Sequence, residues 1–165
     1  MTTPRPDRLT QAVLARDEGR LDEARAILAD LHRANPDDAS INLQVAWIHD
    51  RLGLESEAVP YYERALEVGL EGDDLQHALL GLGSTYRSLG RYRDSVRILD
   101  RGVEEFPSDP AMKIFQAMAW YNTGRAKEAC ELLLTIMATT DQPESIARYR
   151  SAIAEYARDL DRTWQ

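Results

Sequence analysis

The sequence predicts an all-α protein, a right-handed solenoid (superhelix) of four helix-turn-helix repeats followed by a C-terminal capping helix. Two observations carry this prediction. Glycines suited to tight turns recur at intervals of 34, 37 and 34 residues, and a small residue stands seven positions before and five positions after each of them. Two helices approach closely only where the side chains at their crossing are small, so the pattern marks where paired helices touch. The turn glycines are Gly19, Gly53, Gly90 and Gly124; the small crossing residues are Ala12, Ala24, Ala46, Ala58, Gly83, Ser95, Ala117 and Ala129.

The first repeat is predicted over residues 7–36, after a disordered tail at residues 1–6. The tail contains two prolines and shows no apolar periodicity. In the repeat, apolar residues follow the i, i+3, i+4, i+7 spacing of a buried helix face. Asn35, Pro36 and Asp37 then end one helix and cap the next.

The second and third repeats are predicted over residues 37–72 and 73–107. In the second repeat, Pro60 is expected just past the first turn of a helix, where it removes about one backbone hydrogen bond and bends the helix slightly. The three additional residues of the long glycine interval fall within residues 68–73. Two glycines and Asp73 in that segment predict a longer loop and a new helix cap.

The fourth repeat is predicted over residues 108–141, with Pro110 at a first helical position. Residues 142–165 contain no turn glycine and predict one long helix entered through Pro143. A solenoid needs a terminal helix that covers its last apolar face with a polar outer face. We therefore expect a capping helix, whose apolar stripe is Ile146, Tyr149, Ile153, Tyr156, Leu160 and Trp164.

The segment 79–107, LLGLGSTYRSLGRYRDSVRILDRGVEEFP, is the template of the repeat. Gly83 and Tyr86 precede Gly90, and Ser95 and Leu99 follow it. Their spacing resembles the tetratricopeptide repeat, a unit of about 34 residues. The sequence of residues 47–164 is similar to the small bacterial tetratricopeptide repeat family 5. The similarity is clearest in AVPYYERAL, FQAMAWYNTGR and YRSAIAEYARDLD. This resemblance implies an interaction module and allows a homodimer.

Composition narrows the class of protein further. A net charge of -8 opposes binding to nucleic acid, where affinity comes from neutralising phosphates with Lys and Arg. The sequence has no apolar run long enough for a membrane span and no hydrophobic signal core, so no membrane association is expected. A single cysteine cannot form an internal disulfide, which fits a reducing compartment. These features predict a cytoplasmic protein, and its strong preference for Arg over Lys favours a bacterial source.

The sequence contains no nucleophile, base and orienting group at a recognisable catalytic spacing. We therefore predict no enzymatic activity, cofactor or metal. The Gly-Leu-Gly-Ser run at residues 81–84 lies inside a predicted helix, whereas phosphate loops follow a strand. His32, His49 and His77 do not pair at i, i+4 with one another or with Cys130. Cys130, next to Ala129, is predicted to be a small interior residue.

The architecture predicts a scaffold that binds a peptide or partner helix of another protein in its concave groove. The alternative is a structural self-assembly subunit that acts mainly as a homodimer. The first helices of such a solenoid line the groove, and equivalent positions form three rows. The first row is Leu43, Leu80 and Ile114, the second is Trp47, Ser84 and Met118, and the third is Asp50, Arg87 and Tyr121.

The second and third rows differ between repeats, as a surface shaped for one ligand would. Trp, Tyr and Arg are also frequent binding hot spots. We expect Trp47 and Tyr121 to hold apolar side chains of a peptide, and Arg87 to pair with a carboxylate or a carbonyl. The alternative for Trp47 is that it only packs against the neighbouring helix.

A second candidate surface is an arginine band within residues 84–101. Its five arginines against two aspartates give a local excess of +3 charges. The arginines are Arg87, Arg91, Arg93, Arg97 and Arg101, and the aspartates are Asp94 and Asp100. An acidic partner could dock here, although the same pattern also describes an ordinary solvated helix face.

Overall fold

The computed structural model describes residues 7–139, 144–156 and 163. Within these residues the chain forms nine α-helices and no strand, which confirms the all-α prediction. The helices are α1 (Arg8–Asp17), α2 (Leu21–Ala34), α3 (Ala39–Arg51), α4 (Glu55–Val68), α5 (Gly72–Ser88), α6 (Tyr92–Glu105), α7 (Pro110–Asn122), α8 (Ala126–Thr139) and α9 (Glu144–Tyr156). Each repeat therefore has a first helix (α1, α3, α5, α7) and a second helix (α2, α4, α6, α8).

The helices fall into two compact units, Met1–Ala78 and Leu79–Gln165, with the boundary inside α5. In the first unit, α1 packs on α2, α2 on α3, and α3 on α4. In the second unit, α6 packs on α7, α7 on α8, and α9 returns to α7. Contacts within each unit thus join helices that are close in the chain.

Aspartates cap three of the first helices. The Asp7 carboxylate accepts a 2.7 Å hydrogen bond from the Thr10 amide at the start of α1. This backbone hydrogen bond lowers the pKa of Asp7. At the start of α3, the Asp38 carboxylate accepts a 2.9 Å hydrogen bond from the Ile41 amide. At the start of α7, the Asp109 carboxylate accepts one of 2.8 Å from the Ala111 amide. Each cap satisfies an amide that has no partner within its own helix.

The second helices are joined to the first by a glycine turn closed by the backbone. The four turn glycines have φ values of 80°, 71°, 73° and 84°, in the left-handed region that glycine adopts without strain. The residue after each glycine donates its amide to the carbonyl five positions earlier, at 2.8 to 2.9 Å. These pairs are Arg20 and Ala15, Leu54 and His49, Arg91 and Tyr86, and Arg125 and Trp120.

In the third and fourth repeats an arginine covers the aromatic ring below the turn. The guanidinium carbon of Arg91 lies 4.2 Å from the centre of the Tyr86 ring. Arg125 lies 4.1 Å from the centre of the Trp120 ring. A cation over an aromatic face is attracted by the ring quadrupole, so these contacts reinforce the turns.

All eight predicted crossing residues are buried. Gly83 makes the closest approach, since a Cβ added to it would lie only 2.5 Å from Leu99 Cγ. The Ser95 hydroxyl donates a 2.7 Å hydrogen bond to the Gly83 carbonyl, which also ties α5 to α6. Gly102 is a second close approach that the sequence analysis did not single out, since its added Cβ would lie 2.6 Å from Met112 Sδ.

Two details differ from the predicted boundaries. The loop predicted over residues 68–73 is shorter, because α4 ends at Val68 and α5 begins at Gly72. Asp73 and Asp74 lie in the first turn of α5, where negative charge favours a helix start. Pro60 lies within α4, at its sixth position, and the helix continues through it.

The C-terminal helix packs on the fourth repeat. The Tyr149 ring of α9 meets the Phe115 ring of α7 edge to face, with centroids 5.6 Å apart. Burial raises the pKa of the Tyr149 phenol. Leu160 and Trp164 of the predicted apolar stripe lie outside the described residues, as does the predicted tail at residues 1–6.

Candidate partner-binding surface

The nine predicted groove residues differ in accessibility. Four are buried: Leu43 at 0%, Leu80 at 4%, Arg87 at 1% and Met118 at 5% exposure. Trp47, Asp50, Ser84 and Ile114 are half-buried, and Tyr121 is 38% exposed. Three of the nine residues, at positions 43, 47 and 50, belong to the first unit, and the other six belong to the second. In this structure a partner can reach only the five residues that retain exposed surface.

The first unit presents the half-buried ring of Trp47 on α3 at the centre of a small cluster. The Arg16 guanidinium carbon lies 5.1 Å from the centre of the Trp47 ring. The His77 ring meets the same indole edge to face, with centroids 5.7 Å apart and an interplanar angle of 79°. Arg16, Trp47 and His77, here named the Trp47 cluster, come from the first helices of three successive repeats.

Arg16 is held in position by its own polar contacts. Its Nε and Nη2 atoms donate hydrogen bonds to Asp17 Oδ1 at 3.0 and 2.9 Å. Its Nη1 atom donates to Gln44 Oε1 on α3. The arginine is therefore fixed while it covers Trp47, and the cluster is organised before any partner arrives.

Asp50 lies one helical turn after Trp47 on α3, so both side chains are on the same face. Its Oδ2 atom accepts a 2.7 Å hydrogen bond from the Tyr62 hydroxyl of α4. The Tyr62 side chain is 1% exposed. Asp50 is therefore anchored to the core of the first helix pairs.

Two members of the Trp47 cluster were missed by the sequence analysis. Arg16 stands 34 residues before Asp50, so extending the third row into the first repeat would have identified it. His77 stands three residues before Leu80 on α5, where the helical period places the two side chains on one side. The predicted second and third rows contain no residue of the first repeat, and none of the three rows contains position 77.

Arg87 is not available for the role that the sequence predicted. Its side chain is 1% exposed and is among the largest fully buried side chains of the molecule. A buried guanidinium is retained only when its own chain supplies packing and polar contacts, and it cannot meet a carboxylate of a partner. The expected pairing of Arg87 with a ligand is therefore replaced by a structural role.

We expect Arg87→Ala to lower the free energy of unfolding by about 2 kcal/mol, because it removes a large buried side chain and its contacts. Thermal unfolding of the variant measures this effect. The exposed Arg93→Ala on α6 is the control and should change stability by less than about 0.5 kcal/mol. An Arg87→Ala protein with an unchanged melting temperature would contradict the structural role.

In the second unit, Ile114 and Tyr121 keep exposed surface on α7. They are seven residues apart, which places them on one face of the helix, with the buried Met118 between them. Tyr121 is one of three large apolar side chains that are clearly exposed in the described residues, with Leu14 and Val68. This face of α7 is a smaller candidate contact area.

Three of the five arginines of the band pair with carboxylates of α6. The Asp94 carboxylate pairs with Arg91 at 2.9 Å and with Arg97 at 3.5 Å. Arg101 pairs with Glu105 at 2.7 Å. These contacts favour the interpretation of α6 as an ordinary solvated helix face over a docking surface for an acidic partner.

An open pocket of about 520 Å³ lies between the start of α6 and the end of α7. Two arginines and one aspartate line it together with neutral groups. Its lining residues are Gly90, Arg91, Tyr92, Arg93, Asp94, Asn122 and Thr123.

Cys130 lies at the surface, and two of the histidines pack on one tyrosine ring. Cys130 is exposed, which contradicts the predicted interior position. His49 stacks on Tyr61 with centroids 5.3 Å apart, and His32 meets the same ring edge to face at 5.1 Å. Among the residues that the structure describes, no three or more His, Cys, Asp or Glu side chains are grouped so that they could hold a metal.

Consecutive helix pairs with small crossing residues and glycine turns define a tetratricopeptide-repeat protein. The chain belongs to the tetratricopeptide repeat family: the family model TPR_5, described as Tetratrico peptide repeat, matches residues 39–160. A second model, described as Tetratricopeptide repeat, matches residues 8–30 in the first repeat. The resemblance stated from the sequence is thereby confirmed. Members of this family serve in general as scaffolds for protein interaction.

Solved structures share the fold. YrrB, whose crystal structure is described as a TPR protein with an unusual peptide-binding site, aligns with a TM-score of 0.72 and 20% identity over 94% of this chain and 77% of YrrB. A crystal structure of MamA aligns with a TM-score of 0.69 and 14% identity over 92% of this chain and 74% of MamA. A tetratricopeptide repeat protein from Parabacteroides merdae aligns with a TM-score of 0.66 and 19% identity over 93% of this chain and 60% of that protein. These TM-scores show a common fold.

Among curated proteins, Superkiller protein 3 of Saccharomyces cerevisiae is 25% identical over 91 residues. The match covers 55% of this chain but only 6% of the length of that protein. It therefore reflects shared repeats. Among the described residues, no helix is both long and apolar enough to cross a membrane.

Proposed function

We propose that this protein is a non-catalytic cytoplasmic scaffold that binds a peptide or partner helix at the Trp47 cluster. The observation that carries the proposal is the half-buried Trp47 ring, held by Arg16 at 5.1 Å and His77 at 5.7 Å. The peptide-binding site named for YrrB is consistent with this use of the fold. A second copy of the chain is the other source from which the bound segment could come.

The physical argument rests on the kind of surface that the cluster offers. A large aromatic ring with part of its surface exposed gains free energy when an apolar side chain of a partner covers it. Arg16 is already held by Asp17 and Gln44, so little conformational entropy is lost when a partner binds. Binding free energy at interfaces is concentrated in a few such aromatic and arginine residues.

We expect Trp47→Ala to weaken binding at least tenfold, or about 1.4 kcal/mol. The probes are peptides selected on the full chain from a random library displayed on phage. Their affinities are measured by fluorescence anisotropy for the wild type and the variant. Selected peptides that bind Trp47→Ala as tightly as the wild type would contradict the proposed site.

Trp120→Ala is the matched control, because Trp120 also lies under an arginine, with Arg125 4.1 Å from its ring centre. This contact closes a turn in the second unit, so its loss should lower the melting temperature but change peptide affinity less than about twofold.

Sedimentation at several concentrations distinguishes a second copy of the chain from a foreign partner. A wild-type dimer that Trp47→Ala dissociates would identify the occupant as another copy of this chain.

A further inference from the structure

The charge of the chain is concentrated in the first unit. Residues 1–78 contain 8 basic and 16 acidic side chains, whereas residues 79–165 contain 12 of each. The entire net charge of -8 therefore belongs to the unit that carries the Trp47 cluster. An imbalance of this size within one unit sets up a field that attracts cations.

Several of the basic residues of the first unit are already paired with acids of the same unit. Arg8 and Arg33 both pair with Asp30, at 3.1 and 2.9 Å. Arg64 pairs with Glu67 at 2.6 Å and also with Asp37. These pairs use the few cations of the unit, so the acidic excess is carried by the remaining carboxylates.

Two of those carboxylates lie one helical turn before His77, a member of the Trp47 cluster. Asp73 and Asp74 stand in the first turn of α5, four and three residues before His77. Residues at these separations are neighbours on one face of a helix. The His77 ring in turn contacts Trp47 at 5.7 Å. The two aspartates and the Trp47 ring are therefore both neighbours of His77.

The arginines nearest to Trp47 in α1 and α3 each have an acidic neighbour in the chain. Arg16 is engaged with Asp17 at 2.9 Å, so that pair is internally neutral. Arg51 is exposed and follows Asp50 at the end of α3. The local surface thus combines one aromatic ring with the two aspartates of α5.

We propose that the segment bound at the Trp47 cluster is basic, with Lys or Arg side chains next to a large apolar residue. The apolar residue packs on Trp47, and the cationic side chains pair with Asp73 and Asp74. This inference rests on the proposed function and specifies the chemistry of its partner. An acidic segment would meet like charges throughout the first unit, which disfavours it.

The experiment starts from the net charge of the peptides selected from the displayed random library. Peptides whose binding requires Trp47 should be enriched in Lys and Arg relative to the unselected library. Raising the salt concentration from about 50 mM to about 500 mM should weaken their binding, because salt screens exposed charges.

The double substitution D73N and D74N should weaken binding of a selected basic peptide about fivefold, as expected for the loss of two exposed ion pairs. The double substitution E55Q and E57Q is the matched control. It removes the same charge from the first turn of α4, so it changes the helix terminus and the net charge equally. We expect an effect of less than about twofold from the control.

The outcomes separate this inference from the proposed function. Neutral or acidic peptides that depend on Trp47 would overturn the basic partner and leave the binding site in place. If D73N with D74N and E55Q with E57Q reduce peptide affinity equally, the inferred pairing with Asp73 and Asp74 is overturned. General attraction to the acidic unit would then explain the binding. Peptides that do not depend on Trp47 would overturn the proposed function itself.

Discussion

Gly83→Leu should lower the free energy of unfolding by about 3 kcal/mol or more, near the upper end of overpacking effects. Even the first atom of a side chain at this position would lie 2.5 Å from Leu99 Cγ and 2.7 Å from Leu99 Cδ2. The whole leucine must therefore force α5 and α6 apart at their crossing. Chemical denaturation at equilibrium measures the loss.

A compensating substitution tests whether this contact causes the loss. Leu99→Ala alone should destabilise by about 2 to 5 kcal/mol, because it opens a cavity. In that background the clash is absent, and Gly83→Ala should be neutral or stabilising, since alanine favours a helix by about 1 kcal/mol over glycine. Additive effects of Gly83→Ala and Leu99→Ala would show that the two positions do not meet.

Deletion of residues 143–165 should leave an aggregating or largely unfolded protein. The deletion removes α9 and exposes the face of α7 on which it packs, including Phe115, which is 2% exposed in the intact chain. Each large apolar side chain that loses its cover costs roughly 1.5 to 3 kcal/mol. A few such losses approach the roughly 5 to 15 kcal/mol that stabilises a domain. Circular dichroism and calorimetry of the truncated chain measure the result.

Single substitutions in α9 keep this prediction testable if the truncated chain cannot be purified. Tyr149→Ala should destabilise by about 3 kcal/mol, because it removes the ring that packs on Phe115 at 5.6 Å. The exposed Ser151→Ala on the same helix should change stability by less than about 0.5 kcal/mol. A truncated protein that melts cooperatively near the temperature of the intact one would make α9 an interaction arm.

The turns and the helix crossings could be predicted from the sequence because both depend on local geometry. A left-handed φ requires glycine, and a close crossing requires a small side chain, so each leaves a residue type at a fixed position. Gly102 was missed because it approaches Met112 in the next repeat, a contact that comparison with the turn glycines does not include. The sequence shows that position 102 is a glycine, but it does not show that Met112 packs against it.

Accessibility could not be predicted with the same success. Cys130 follows the buried Ala129 by one residue, and one residue turns the helix by about 100°, which places the thiol on the solvent side. Arg87 occupies a groove position by count, yet its side chain is buried. Position in a repeat fixes the direction of a side chain, whereas its exposure depends on the sizes of its neighbours. Trp47 keeps part of its ring exposed, and this too was visible only in the structure.

The contacts between helices also bear on how the chain finds its structure. Within each unit the packed helices are consecutive or next but one, from α1 on α2 to α9 on α7. Bringing such segments together closes only short loops, and the entropy lost in closing a loop grows with its length. Proteins dominated by local contacts fold faster than sheet proteins of similar size. Each helix pair can therefore form without waiting for a distant part of the chain.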